Sequence, residues 1–410
     1  MSKLDDLIKE KCLNGVKYVE LGKVCEITKG RGLSKSDKGT GDIPIILYGE
    51  LYTTYGNYIN EVASFASEAA KNSLPITQND LLLPVSSTTK EAQIGKASVY
   101  RLNSECYLGG DAIRLRHEQN PGFLMYIINS TAFEKQKMKC VSGTTISHLN
   151  PGKLSKIKVP VPPLEVQNEI VQILDNFAEL TAELTAELSN RKKQYEYYRD
   201  LLLNFGEDEQ RERVKWYCLG DIMSFKNGKG HEKSIVNDGK YIVVNSKFIS
   251  TNGDVRKYSG SQIKPVGIND ILMVMSDLPN GKALAKCFLV DENDKYTLNQ
   301  RICALHTVND DIYKTKYLYY YLSRNRQLLR YNNGTDQTNL KKNDILKVKI
   351  PIPSAEEQDS IIHILDMFST LTQGISEGLP AEIEARKKQY AYYRDKLLSF
   401  EGQKVETINA

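Results

Sequence analysis

The side chains of this chain best suited to engaging a partner are hydrogen-bonding and cationic groups on short stretches rich in Gly, Ser, Thr and Asn. In the first half these are Lys29, Arg31, Lys35 and Lys38, then Ser86, Ser87, Thr88, Thr89 and Lys90, then Thr144, Thr145 and His148. In the second half the corresponding places hold Lys226, Lys229, His231 and Lys233, then Asn245, Ser246 and Lys247, then Ser276 and Lys282, then Thr335, Gln337, Thr338 and Asn339. Such residues read base edges in a nucleic-acid groove, with Lys and Arg on phosphates. Polar loops are also ordinary solvent-facing turns, and for any single residue that reading stands first. As groups, the loops fit contact better. Asn299-Gln300-Arg301 has the donors for adenine or guanine readout and equally suits a polar strand end.

Other chemistries find little support. There is no GxxxxGK[ST] phosphate loop and no [DN]PP[FY] tetrapeptide of the kind amino-methyltransferases use on a flipped base. The five histidines, His117, His148, His231, His306 and His363, lack ligand spacing, so no metal is expected. Seven cysteines without a CxxC pair argue against a disulfide framework or a zinc site. A net charge of +4 with 26% charged residues permits nucleic-acid binding only through local clustering. The start lacks the apolar core of a signal peptide and the apolar runs are too short for a bilayer, so a cytoplasmic protein with no membrane contact is expected.

The elements that would position the loops are written twice. At 410 residues the chain holds several units. Residues 158–205 and 349–400 are versions of one sequence, each following a segment of different content. The segments share landmarks: Gly30 and Gly228 after matching openings, Asn79-Asp80 and Asn269-Asp270 before apolar runs, and Gly143-Thr144 with Leu149 against Gly334-Thr335 with Leu340. Short Val/Ile/Leu/Tyr runs between turn residues predict strands, with one helix in each segment at 123–139 and 314–329. The fold class expected is α+β. Two globular domains, each a curved sheet plus helices, alternate with two long helices that form an antiparallel coiled coil with pseudo-twofold symmetry. The boundaries expected are 1–157, 158–205, 206–348, 349–400 and a tail at 401–410.

The repeated segments carry one apolar stripe each at spacings of three and four. Phe177, Leu180, Leu184, Leu188, Tyr195 and Tyr198 of the first are expected to pair with Phe368, Leu371, Ile375, Leu379, Tyr390 and Tyr393 of the second. The tyrosines of QYEYY and QYAYY are therefore read as seam residues rather than a base-stacking platform. Prolines at 160–163 and 351–353 stiffen the approach to each helix. The first helix holds the tandem tetrapeptide TAEL, one copy of which adds about 6 Å of helix. In the second, Gly374, Gly378 and Pro380 predict a break or kink. Arg191 to Lys193 and Arg386 to Lys388 suit partner docking best, with phosphate contact or a solvated face as the alternatives.

The layout resembles the specificity subunit of Type I restriction-modification enzymes over essentially the whole chain. The residues that carry the resemblance are Pro160-Val161-Pro162 with Gln167, Pro351-Ile352-Pro353 with Gln358, the ILDxF cores ending at Phe177 and Phe368, and the RKKQYxYYRD endings from Arg191 and Arg386. The resemblance implies a non-enzymatic DNA-binding subunit in which each globular domain is a target recognition domain. Each reads one half of an asymmetric two-part sequence in double-stranded DNA, while the helices dock two methyltransferase subunits and set the gap. Two restriction subunits can join in that family. S-adenosylmethionine and ATP with Mg would belong to those partners, leaving this chain without a cofactor. The alternative is a two-headed coiled-coil scaffold that binds proteins and has no DNA specificity.

Overall fold

The computed structural model describes residues 3–89, 93–143, 145–206, 214–278, 282–373, 378–400 and 404–405. Contacts divide the chain into two units, Met1–Glu183 with Glu384–Ala410, and Leu184–Ile383. The division passes through two helices, Leu164–Leu202 and Leu379–Ser399.

In the first unit a five-stranded sheet runs in the order Cys25–Lys29, Ala112–His117, Leu81–Pro84, Ser98–Tyr100, Tyr58–Ile59. A four-stranded sheet is built from Ser64–Ala66, Ile43–Ile46, Cys106–Leu108 and Leu74–Ile76. The second unit repeats the plan, with Met223–Asn227, Ile302–Thr307, Ile271–Val274 and Cys287–Leu289 in one sheet and Tyr241–Val244 beside Tyr296–Leu298 in another. The strands Leu81–Pro84 and Ile271–Val274 are buried throughout their length. That burial accounts for their continuous apolar runs, since a strand covered on both faces gains nothing from alternation.

The repeated landmarks have physical causes. Asn79 and Asn269 both adopt left-handed backbone, φ 72° and 67°, the turn that feeds each buried strand. The carboxylates that follow them pin those turns: Asp80 accepts from the Thr77 amide at 2.8 Å and Asp270 from the Gly267 amide at 2.9 Å. Gly30 and Gly228 lie against backbone carbonyls, and a Cβ there would come within 2.0 Å of Gly109 O and 1.9 Å of Asn299 O. Only glycine fits at either place.

Each unit also holds a pair of helical segments. Val166, Gln167, Ile170 and Leu174, in the first turns of the Leu164–Leu202 helix, are buried in the first core with Leu398 and Phe400. The Ala355–Gln373 helix contributes Ile361 and Leu365 to the second core, where Tyr195 and Leu202 pack against it. The described helices stop at Gln373 and restart at Leu379, after Gly378 at φ 82°. In the first unit Val16–Glu20 pairs antiparallel with Lys158–Val161 and parallel with Lys404–Val405.

The single helix expected in each segment is split. In the first unit Pro121–Ile128 and Thr131–Lys137 are separated by Asn129 and Ser130, and the Ser130 hydroxyl accepts from the Phe133 amide to cap the second helix. In the second unit Thr315–Leu322 and Arg326–Leu329 are separated by Arg324 at φ 59°, with Asn325 capping the restart. Ser and Asn satisfy the free amides of a helix start better than they propagate a helix, so a cap wins over continuation.

Candidate nucleic-acid interface

In the first unit the polar loops converge on a small ladder. The strand Ser86–Ser87 pairs antiparallel with Ser147–Leu149, so that Ser86 faces His148 and Ser87 faces Ser147. The Ser86 hydroxyl donates to Asp111 Oδ1 at 2.9 Å and lies 3.0 Å from His148 Nδ1, while its carbonyl accepts from the Tyr52 hydroxyl at 2.9 Å. Lys29, Ser86, Asp111, Ser142 and His148 line one cleft of about 240 Å³. Burial pushes the Tyr52 phenol up, so that it stays a donor bracing the ladder.

Lys29, Arg31, Lys35, Lys38, Thr88, Thr89, Thr145 and His148 are exposed. Lys38 pairs with Glu50 at 3.2 Å. Ser87 is buried and turned to its own loop, donating to Thr89 O. Lys90 and Thr144 lie outside the described residues.

The second unit builds the same ladder from Ser276–Asp277 and Thr338–Asn339, with Ser276 facing Asn339. Gln337 Nε2 donates to Ser276 Oγ at 2.8 Å. Lys226, Lys229, Lys233, Lys247, Lys282, Thr335, Gln337 and Asn339 are exposed.

Three of the expected contact residues in this unit do other work. His231 is 1% exposed, with Nδ1 at 2.7 Å from Lys229 O and Nε2 at 2.8 Å from Thr297 Oγ1. Both ring nitrogens are used internally, and the ring braces the loop instead of facing a groove. Asn245 caps the Ser246–Ser250 helix through its side chain, so Ser246 and Lys247 sit in a helical turn rather than a loop. Thr338 is buried, its hydroxyl on Asn332 Oδ1.

The helix motifs place side chains whose roles the spacing did not disclose. Gln167 is fully buried; its amide donates to Pro162 O and Gln119 Oε1, and its carbonyl accepts from the Asn120 amide. Gln358 does the same with Pro353 O, Ile312 O and the Lys314 amide. Each glutamine thus ties the Pro-rich approach to the loop that starts the neighbouring helix. Asp175 Oδ1 accepts from the hydroxyls of Tyr58 at 2.7 Å and Tyr126 at 2.6 Å. Asp366 accepts from the Tyr320 hydroxyl at 2.5 Å and from Lys316 Nζ at 2.6 Å. Burial first, and then the hydrogen bond to a carboxylate, hold the phenols of Tyr58, Tyr126 and Tyr320 far above their ordinary value.

On the seam, Phe177 stacks on Tyr393, and Tyr198 stacks on Phe368. Tyr195 and Tyr390 are half-buried against the second and first cores respectively. Leu184, Leu188, Leu371 and Leu379 are half-buried, Leu180 is exposed, and Ile375 lies outside the described residues. Arg191 pairs with Glu187 on its own helix at 2.7 Å. Among the described residues no cluster of His, Cys, Asp and Glu is placed to hold a metal, and no helix is long and apolar enough to cross a membrane.

Comparison with known proteins follows the same two-part division. The family model for the Type I restriction modification DNA specificity domain matches twice, over residues 14–192 and 211–385. The EcoR124I/EcoR124II specificity subunit of Escherichia coli is 37% identical over 279 residues, 62% of this chain and 66% of that protein. A putative type I restriction enzyme specificity subunit of Haemophilus influenzae is 32% identical over 299 residues, 70% of this chain and 74% of its own length.

Two solved structures share the fold. A chain from a type I R-M system studied for complex assembly and conformational transition gives a TM-score of 0.61 at 18% identity, covering 95% of this chain and 98% of that one. The S subunit of a Type I system from M. genitalium gives 0.53 at 15%, covering 93% and 95%. With both halves matched by one family model, and the same ladder and helix anchors built in each, the chain belongs to the Type I restriction-modification DNA specificity family.

Proposed function

We propose that this chain is the address-reading subunit of a methyltransferase complex. Each of its two recognition domains, 1–157 and 206–348, reads one half of an interrupted double-stranded DNA target. The repeated helices dock two methyltransferase subunits and set the distance between the half-sites. The observation that carries this reading is one strand framework built twice with different exposed side chains on it and beside it, Lys29 and His148 in one unit, Lys229, Gln337 and Asn339 in the other. Unlike readers in one chain specify an asymmetric target.

Modification is then indirect. The partner subunit flips and methylates a base, using its own S-adenosylmethionine, and any ATP-driven restriction activity belongs to further subunits. The test is single-molecule methylome sequencing of cells that express the chain with its cognate methyltransferase subunit, against cells lacking the chain. A new two-part motif with a fixed gap is expected. An unchanged methylome from a soluble, assembled complex would reject the proposal.

A further inference from the structure

The two ladders can be superposed position by position through their backbone hydrogen bonds alone. Val85 N donates to Asp111 O at 2.8 Å, and Met275 N donates to Arg301 O at 3.0 Å. Leu149 N reaches Val85 O, and Leu340 N reaches Met275 O, both at 2.8 Å. Gly30 N reaches Ala112 O at 2.9 Å, and Gly228 N reaches Ile302 O at 3.1 Å. These bonds equate Ser86 with Ser276, His148 with Asn339, Lys29 with Asn227, and Asp111 with Arg301. The serine is kept. The side chains around it change from Lys, His and Asp to Asn, Asn and Arg, and at one place the charge reverses.

Asp111 is the informative member. Its carboxylate opens on the cleft that Lys29 and His148 also line. A carboxylate is repelled by phosphates, so on a DNA-facing surface it weakens binding to every sequence alike. Its use there is as an acceptor for the amino hydrogens that only some bases present in the major groove, on cytosine N4 or adenine N6. Ser86 donates to Oδ1, which fixes the carboxylate and leaves its second oxygen for such a donor. Arg301, exposed at the equivalent position, has the opposite requirement: two parallel donors that match guanine O6 and N7.

We propose that Asp111 and Arg301 are the equivalent specificity-determining residues of the two units, Asp111 selecting a base with an exposed amino donor and Arg301 selecting guanine. The inference rests on the reading that each unit contacts one half-site, and it adds which residue makes the halves differ.

The test uses the full chain assembled with its methyltransferase subunit. DNA bound from a library randomised across both half-sites is sequenced for the native chain, Asp111→Asn and Arg301→Gln. Asparagine retains the size of Asp111 and tolerates its left-handed backbone, φ 58°. The result expected is a change of about tenfold or more in preference at one base position. It falls in one half-site for Asp111→Asn and in the other for Arg301→Gln, with the remaining positions and the gap unchanged. A preference profile identical to the native one overturns the inference, and so does a uniform loss of affinity across all sequences, which would make these residues structural. If the native complex selects no two-part sequence at all, it is the underlying half-site reading that fails.

Discussion

The ring of Phe177 stacks on that of Tyr393, with centroids 5.5 Å apart and planes 19° from parallel. Tyr198 stacks on Phe368 in nearly the same way, at 5.4 Å and 25°. Phe177 and Phe368 end the two ILDxF motifs, and Tyr393 and Tyr198 are the second of the paired tyrosines in the two YxYYRD motifs. Each copy of the repeat therefore lends its phenylalanine to the other copy's tyrosine. Coupling between such rings amounts to about 0.5–1.5 kcal/mol beyond the area they bury. A double-mutant cycle of Phe177→Leu and Tyr393→Leu, read by urea unfolding, should return a coupling in that range. The Tyr198 and Phe368 cycle should match it; additive effects in both cycles would show that the stacks are incidental.

Asp175 should be more sensitive than its surface helix position implies. Its carboxylate takes the hydroxyls of both Tyr58 and Tyr126, and Arg101 lies over the Tyr58 ring at 3.5 Å. Asp175→Ala leaves two phenols without their acceptor, at a cost of about 2–4 kcal/mol. Adding Tyr126→Phe should return part of that loss, because the orphaned hydroxyl is then removed. Denaturant midpoints of the two variants decide the matter, and a double mutant weaker than Asp175→Ala alone would contradict this account.

The same phenols set an alkaline limit. Their protonated forms are favoured in the folded chain, so the folded values of Tyr58, Tyr126 and Tyr320 lie above the unfolded value. For such a group the stabilisation is complete below the unfolded value, near 10, and is lost as pH rises above it, because the unfolded chain then releases protons that the folded chain keeps. Melting temperature should hold steady from about pH 8 to 9 and fall above about 10. Tyr126→Phe should fall less steeply. Melts recorded across this interval would reject the assignment if the curve stayed flat to about pH 11.5.

Much of the framework could be read from the sequence because it is written twice. Gly30 with Gly228 and Asn79 with Asn269 recur at matching places because backbone contacts and left-handed turns admit few residues, so the landmarks survived while the loops diverged. The break before Leu379 was legible from Gly378 and Pro380 for the same reason. The helix splits were missed because Ser130 and Asn325 sit inside helix-like apolar spacing, and only the structure shows their side chains capping the restart, Ser130 on the Phe133 amide and Asn325 on the Gln327 amide.

In the candidate site, type and spacing found the loops but could not separate surface from interior. His231 and Thr338 look like readers in the sequence and are buried by their folding partners. Asp111 was missed because an acid does not suggest DNA contact by itself, and its link to Ser86 joins residues 25 apart in sequence. The signal was available in the repeat, which sets it opposite Arg301 once Ala112 is matched to Ile302.

Helix length offers the most direct test of the proposed spacing role. The Leu164–Leu202 helix is continuous through both TAEL units, and Thr181 binds back to Phe177 O at 2.8 Å, as a helix-interior threonine does. Deleting residues 185–188 removes about 6 Å of helix while roughly preserving the phase of the stripe, because four residues are close to one turn. Tyr195 and Tyr198 then still face the seam. If the helices set the distance between half-sites, about 6 Å corresponds to about one to two base pairs at ~3.4 Å each. The methylome of cells carrying the deletion should show both half-sites unchanged in sequence and the gap between them shortened by that amount. A native gap in an active deletion variant would mean that the spacing is fixed elsewhere in the complex, and the helices would remain as docking elements alone.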